Sequence, residues 1–352
     1  KVDAKYEKLF FDLSIKNIKN LLHCPNCKYE ELVLSEKELF CNQCEEQYPV
    51  ISDIPILITK NRCIELGLNY HNTNIQNEII NSNDFQKNKN GILNYIKNIL
   101  IGTNGILYKK IKEPEKYPIA NIPFHKINKN NEQMLLDIGC GWGRWTINAA
   151  QKNYTSVGID LSLKSLLVAQ TISKELNIQN CGFICCDVLN LPLRKDLFDK
   201  VFSFSFLQHF SENKLRIILK NISLTMKQNS IFKTQMINKY SVRGLYNDYK
   251  IRNNKDEMIK KGHMDDIEGE NSFTVRYFSL NKINKILNET FNIENFKNYS
   301  FFTQAQLSDF TLVSLKSKFF LIVTLVINNL VKVMPFFKFI SDNLIFTLKK
   351  RD

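Results

Sequence analysis

An α/β fold built on a doubly wound, largely parallel sheet is what this sequence predicts, and two observations carry that expectation. The first is residues 135–160. They read Leu135-Leu136-Asp137-Ile138-Gly139-Cys140-Gly141-Trp142-Gly143-Arg144, then a helix-like stretch, then Val157-Gly158-Ile159-Asp160. An apolar strand runs into a glycine turn and a helix, and a second apolar strand ends in a carboxylate. The second is repetition of this grammar downstream. Phe183-Ile184-Cys185-Cys186-Asp187-Val188 is again a strand closed by an acid, and Phe198-Asp199-Lys200-Val201-Phe202-Ser203-Phe204-Ser205 is a fourth. Short apolar runs separated by helix-length spacers mark strands covered on both faces.

Taken in order, the chain opens on two paired cysteines. Cys24-Pro25-Asn26-Cys27 and Cys41-Asn42-Gln43-Cys44 give C-x2-C, thirteen intervening residues, then C-x2-C. Such pairs place four thiolates around one Zn²⁺. Leu32, Leu34 and Leu39 between them fit a short hairpin, and residues 48–57 lead out of it. This stretch resembles the zinc-ribbon domain of the small activator proteins that partner tRNA and protein methyltransferases. A site closed by four thiolates has no open coordination position, so the ion is expected to be structural. Residues 1–62 are therefore read as a zinc-ribbon domain, held together by metal without touching the chemistry.

Residues 63–132 are rich in Asn, Lys and Ile and read as a helical connector or cap. Gly91 to Leu100 has helical spacing of apolar residues. Tyr117-Pro118-Ile119 to Ile122-Pro123-Phe124 is an extended approach to the first strand.

Glycines at a strand-to-helix turn let backbone approach a ligand, and an acid at the tip of the next strand can accept from ribose hydroxyls. The dinucleotide pattern G-x-G-x-x-G is not met, because Arg144 stands at its third glycine. Asp137, two residues before the turn, suits a cationic ligand better than a pyrophosphate. The turn closely resembles the first motif of class I S-adenosylmethionine (SAM)-dependent methyltransferases, and later segments agree in order. The resemblance implies a Rossmann-like, seven-stranded sheet over residues 133–316. It implies a cofactor set of Asp137, Gly139, Cys140, Gly141, Gly143, Asp160, Leu161, Asp187, Val188, Phe204 and Ser205. Asp160 would hold the ribose, Asp187 the adenine amino group, and Val188 would pack on the ring. Leu191-Pro192 resembles the family's turn before the fourth strand, and Phe206-Leu207-Gln208-His209-Phe210 falls where these enzymes line the acceptor end. His209 is the one titratable candidate base there; the alternative is a packed residue of the turn.

Glu212 to Lys227 reads as an amphipathic helix and Ser230 to Met236 as strand five. Residues 240–275 are polar without a strong period, an insertion facing substrate or a solvated loop. Tyr277-Phe278-Ser279-Leu280 resembles the family's entry to a helix, with Ser279 as N-cap. Asn292 to Phe301 and Phe310 to Leu315 are expected to be the last two strands, antiparallel to each other. Residues 317–352 read as an apolar helical segment. The runs 319–331 and 336–348 are each too short to span a bilayer and are expected to form a helical hairpin. That hairpin could pack on its own core, form a subunit interface or meet a membrane surface.

A chain of 352 residues with 44% hydrophobic and 24% charged content holds one large domain and a small one. Its net charge of +13 would suit RNA or an anionic membrane, but Lys, Asn and Ile abound throughout, as AT-rich coding alone would give. No signal peptide is visible, and nine cysteines without a disulfide pattern fit a reducing cytoplasm, with peripheral contact at the membrane's inner face open. Three functions stay open: methyl transfer to a small-molecule, sugar or lipid-linked acceptor, methyl transfer to ribosomal or transfer RNA, and non-catalytic binding. The fourth motif is not of the Asn-Pro-Pro-Tyr type, which disfavours exocyclic base amines.

Overall fold

The computed structural model describes residues 13–68, 70–71, 89–104, 116–241, 244–245, 257–263, 272–300, 309–310, 313–334, 337 and 339–351. The strands are β1 (Leu32–Leu34), β2 (Glu38–Cys41), β3 (Gln47–Ile51), β4 (Ile54–Leu57), β5 (Met134–Ile138), β6 (Thr155–Asp160), β7 (Cys181–Cys186), β8 (Phe198–Ser203), β9 (Met226–Ile237), β10 (Glu257–His263), β11 (Ser272–Phe278), β12 (Phe291–Ser300) and β13 (Asn343–Lys350). The helices are α1 (Ile15–Ile18), α2 (Lys60–Glu65), α3 (Lys89–Asn104), α4 (Arg144–Gln151), α5 (Leu163–Glu175), α6 (Glu212–Thr225), α7 (Leu280–Asn288) and α8 (Leu315–Val333).

All strands but β10 and β11 join one sheet of order β1-β2-β3-β4-β7-β6-β5-β8-β9-β13-β12. From β7 to β12 this is a Rossmann-like core of seven strands, but β13 comes from residues 343–350, beyond the expected bounds of 133–316. Five of its strands are parallel neighbours, and β13 runs antiparallel between β9 and β12. The sheet nonetheless has eleven strands rather than seven. β4 is buried at all four positions and pairs in parallel with β7 through Ile56↔Cys185 and Leu57↔Cys186. An apolar strand with both faces covered also needs its backbone groups bonded, and the free edge of β7 supplies them. The cysteine-bearing hairpin is thus continuous with the main sheet.

Period-two alternation divides each central strand between two cores. Ile184 and Cys186 of β7 face a cluster with Ile138, Ile159, Phe346 and the buried face of α6. Cys181, Phe183 and Cys185 face the other side, against Leu166 and Val168 of α5 and Ile92 and Ile96 of α3. Ser279 caps α7 as expected, its side chain accepting from the Lys282 amide at 3.3 Å.

The C-terminal expectations need correction. Leu315 starts α8 instead of ending a strand, while Thr311 and Leu312 lie outside the described residues. The first arm of the expected hairpin is α8. The second holds strand β13, and Pro335, Phe336 and Lys338 lie outside the described residues. The reason is alternation: Leu344, Phe346 and Leu348 are fully buried on one face, which a helix would scatter around its circumference. Within the expected loop at 240–275, β10 and β11 pair as a two-stranded ribbon, with residues 246–256 and 264–271 outside the described set.

Candidate functional site

The turn after β5 places three glycines at positive φ, Gly139 at 69°, Gly141 at 52° and Gly143 at 79°. The amides of Gly139 and Cys140 both donate to the Ile159 carbonyl, at 2.9 and 3.0 Å, which ties the turn to β6. A Cβ on Gly139 would overlap the Phe206 ring, whereas one on Gly141 would meet nothing within 4 Å. Gly139→Ala combines left-handed backbone with that overlap. It should destabilise the protein by about 1–3 kcal/mol, seen as a lowered melting temperature. An unchanged melt would contradict this geometry.

Asp160 at the tip of β6 accepts from the Gly141 amide at 2.8 Å through one oxygen and from the Ser162 amide at 2.9 Å through the other. Burial pushes its carboxyl up, and those amides pull it back. A carboxylate has about four acceptor sites, so capacity remains for ribose hydroxyls. Asp137 is 1% exposed. Its Oδ2 accepts from Thr146 Oγ1 at 2.7 Å, and among the described residues its Oδ1 has no partner. Burial pushes this carboxyl up to about 7, with the Asp160 charge adding to the shift. An orphaned, buried carboxylate oxygen beneath the turn fits a nearby cation.

Asp187 accepts from the Leu189 amide at 2.9 Å and forms an ion pair with Arg62 Nε at 2.8 Å. Arg62 stands on α2, directly after β4, and was missed in the sequence. The one signal for it is scarcity, because only eight of the 48 basic residues are arginine. Gly139, Asp160, Leu161 and Val188 surround a cavity of about 160 Å³ that Arg62 and Phe206 also line. Asp187 borders the same cavity. Asp137, Cys140, Gly141 and Gly143 are not among the residues that line it. Acids at both strand tips and the backbone of Gly139 on this lining are groups that could hold an adenosine group.

Phe204 and Ser205 stand to one side. Phe204 packs between Trp145 and Tyr299, at centroid distances of 4.8 and 5.0 Å. The Ser205 amide donates to Gln235 Oε1 at 2.8 Å, Gln235 Nε2 to Asn343 Oδ1 at 2.6 Å, and Asn343 Nδ2 to Ser300 Oγ at 2.8 Å. This buried ladder ties the tip of β8 to β9, β13 and β12. His209 has Nδ1 3.0 Å from the Thr274 carbonyl and Nε2 3.0 Å from the Ser205 carbonyl. Burial holds its pKa below the usual value, and both carbonyl bonds oppose that shift.

The four cysteines of the paired motifs converge, with all four Sγ atoms within 4.8 Å of one another. A tetrahedral Zn²⁺ with Zn–S of about 2.3 Å sets sulfurs about 3.8 Å apart, so the donor set could hold that ion. The two knuckles share one backbone design. Lys28 and Glu45, each following the second cysteine, have φ of 66° and 59°. Their amides donate to the Cys24 and Cys41 carbonyls at 2.9 and 2.8 Å. His23 is held apart, its Nδ1 at the Cys24 carbonyl. The module is fastened to the main domain by His23 N to Pro192 O at 3.0 Å, Arg194 N to Leu21 O at 2.9 Å and Asn190 Nδ2 to Pro25 O at 2.9 Å.

Residues 135–229 match the family described as a methyltransferase domain. An uncharacterised protein of Methanocaldococcus jannaschii is 25% identical over 157 residues, 42% of this chain and 61% of that protein. A sphingolipid C9-methyltransferase of Candida albicans is 32% identical over 101 residues, 27% of this chain and 20% of the relative. A tRNA (guanine-N(7)-)-methyltransferase of Rubrobacter xylanophilus is 36% identical over 77 residues, 21% of this chain and 34% of that enzyme. The chain thus spans less than two thirds of each of these relatives.

Proposed function

We propose that this chain, whose residues 135–229 match a methyltransferase domain, is a class I SAM-dependent methyltransferase acting on a small-molecule, sugar or lipid-linked acceptor. SAM supplies a methyl group on a sulfonium, which passes in line to the acceptor nucleophile. The observation that carries the reading is the meeting of Asp160, the glycine turn and Asp187 at one cavity. Asp160 orients the ribose while its two amide bonds keep the turn in shape. Leu161 and Val188 flank the base, and Asp187 accepts from its amino group. Calorimetry with SAM tests this. Asp160→Ala should weaken binding about tenfold or more, since hydrogen bonds to charged groups contribute about 1.5–3 kcal/mol. Unchanged affinity in that variant would sink the assignment.

Asp137 gives the reading a pH signature. Its carboxyl moves from 3.8 to about 7 on folding, so stability without ligand falls as pH rises through that window. A bound cation favours the ionised form. SAM affinity should therefore rise between about pH 6 and 8, by at most about tenfold per unit, and Asp137→Asn should flatten the profile. A pH-independent affinity in the unaltered protein would remove Asp137 from the cation's surroundings.

We read His209 as a strut between the turn and β11, because both ring nitrogens face carbonyl oxygens. We further propose that Cys24, Cys27, Cys41 and Cys44 hold a structural Zn²⁺. No helix among the described residues is long and apolar enough to cross a membrane. Peripheral contact through α8 belongs to the proposal, since Phe319 and Phe320 on that helix are exposed. The net charge of +13 and the tRNA-modifying relative favour a second reading, an RNA acceptor contacted by the cysteine module. RNA affinity that falls steeply with salt would support it.

A further inference from the structure

A cavity of about 690 Å³, separate from the cofactor pocket, lies between the end of α8 and the face of β9, β13 and β12. Small-molecule sites run about 300–1,000 Å³. Its floor follows the strand register. Lys233, Thr347 and Asn295 make one rung, and Ile345 and Lys297 belong to the next. Ile231 and Ile345 on the floor and Val331 and Met334 on the helix make one side apolar.

The other side is cationic. Lys233 is half-buried, with Nζ 2.6 Å from the Pro123 carbonyl and 4.7 Å from the centroid of the Phe124 ring. Burial lowers its pKa, and the charges of Lys297, Lys200 and Lys152 lower it further. Among the described residues, neither Lys233 nor Lys297 forms an ion pair. A half-buried cation facing like charges is costly, and an anion seated there relieves both burdens. The mouth continues onto the exposed apolar side of α8. Met334 lines the cavity and is 53% exposed, and Leu330 beside it is 61% exposed.

We propose that this cavity binds an amphiphilic anion, with one apolar chain along Val331, Met334, Ile231 and Ile345 and a phosphate or carboxylate at Lys233 and Lys297. The chemistry is that of an anionic bilayer lipid or of a free acyl or alkyl anion. The proposal stands independently of methyl transfer.

The test is calorimetric titration of the full chain with dodecyl phosphate below its micellar concentration, with dodecanol and inorganic phosphate as single-feature controls. Dodecyl phosphate should bind one to one, at least about tenfold tighter than either control. Lys233→Met with Lys297→Met should weaken it about tenfold or more and leave SAM affinity unchanged. Lys297→Gln, at an exposed edge position, serves if the double variant does not fold. Equal binding of dodecanol would reduce the site to an apolar groove. Equal binding of phosphate, or unchanged affinity in the lysine variants, would also overturn the proposal. Sedimentation with phosphatidylcholine vesicles, with and without phosphatidylglycerol, separates the sources. Vesicle binding that dodecyl phosphate competes away supports a bilayer lipid, and dodecyl phosphate binding without vesicle binding supports a free amphiphile. Vesicle binding that dodecyl phosphate leaves untouched, with no binding of it in solution, overturns the cavity.

Discussion

Deletion of residues 317–352 should abolish cooperative folding of the main domain. The deleted segment contains β13, an interior strand of the sheet. It pairs with β9 from Asn343↔Ile237 to Lys349↔Ile231 and with β12 from Phe291↔Lys350 to Ser300↔Asn343. Its loss opens two strand edges and uncovers the cluster that Leu344, Phe346 and Leu348 complete. The polar ladder fails as well, because Gln235 and Ser300 are buried and bond to Asn343. Each buried group left unpaired costs about 1–3 kcal/mol. Phe346→Ala alone should cost about 3–5 kcal/mol, a large part of a typical stability of about 5–15 kcal/mol. Soluble yield and a circular-dichroism melt provide the measurement. A truncated chain that melts cooperatively at the original temperature would refute the interior placement of β13.

Loss of the proposed zinc should have the second largest effect, and it should extend beyond the module that holds the ion. Chelation or Cys41→Ser should unfold residues 20–58, since metal supplies about 10–16 kcal/mol in isolated zinc-finger peptides. From the sequence, the ribbon is expected to stay clear of the chemistry. The geometry leads to a further outcome, because β4 is a neighbour of β7 and α2 carries Arg62 to Asp187 at the proposed cofactor pocket. SAM affinity should therefore fall when the knuckles melt. Arg62→Gln should lower it without unfolding, which separates the contact from the collapse. Hydrogen exchange over residues 20–58 with metal analysis checks the first part. Metal-free protein purified without chelator, yet fully protected there, would refute the zinc assignment.

The backbone geometry of the glycine turn, the strand tips and the cysteine knuckles was legible because it is local. A glycine turn, an acid at a strand tip and a C-x2-C pair each sit within a few residues of one another. Their conformations follow from backbone needs that no distant residue alters. The C-terminal strand was not legible for the opposite reason. Asn343 to Lys350 is short and apolar, and its state depends on β9 and β12, more than forty residues away in sequence. Alternation of Leu344, Phe346 and Leu348 was its one local sign, easily overlooked beside the uncharged run of α8. Arg62 was invisible likewise, since its partner Asp187 lies 125 positions on. In a lysine-rich chain three of the arginines mark fixed junctions. Arg62 meets Asp187, Arg144 meets Asp309, and Arg194 holds the Leu22 carbonyl at 3.0 Å.

The place of β13 also sets a timetable for synthesis. β9 and β12 leave the ribosome before the strand that belongs between them, and β12 is complete at residue 300 while β13 starts at residue 343. At about 5–20 residues per second, the nascent sheet waits seconds with the slot between β9 and β12 empty. In that interval β9 and β12 can pair wrongly with each other or with a neighbouring chain. A chaperone, or a pause in translation before residue 343, would act on this window alone.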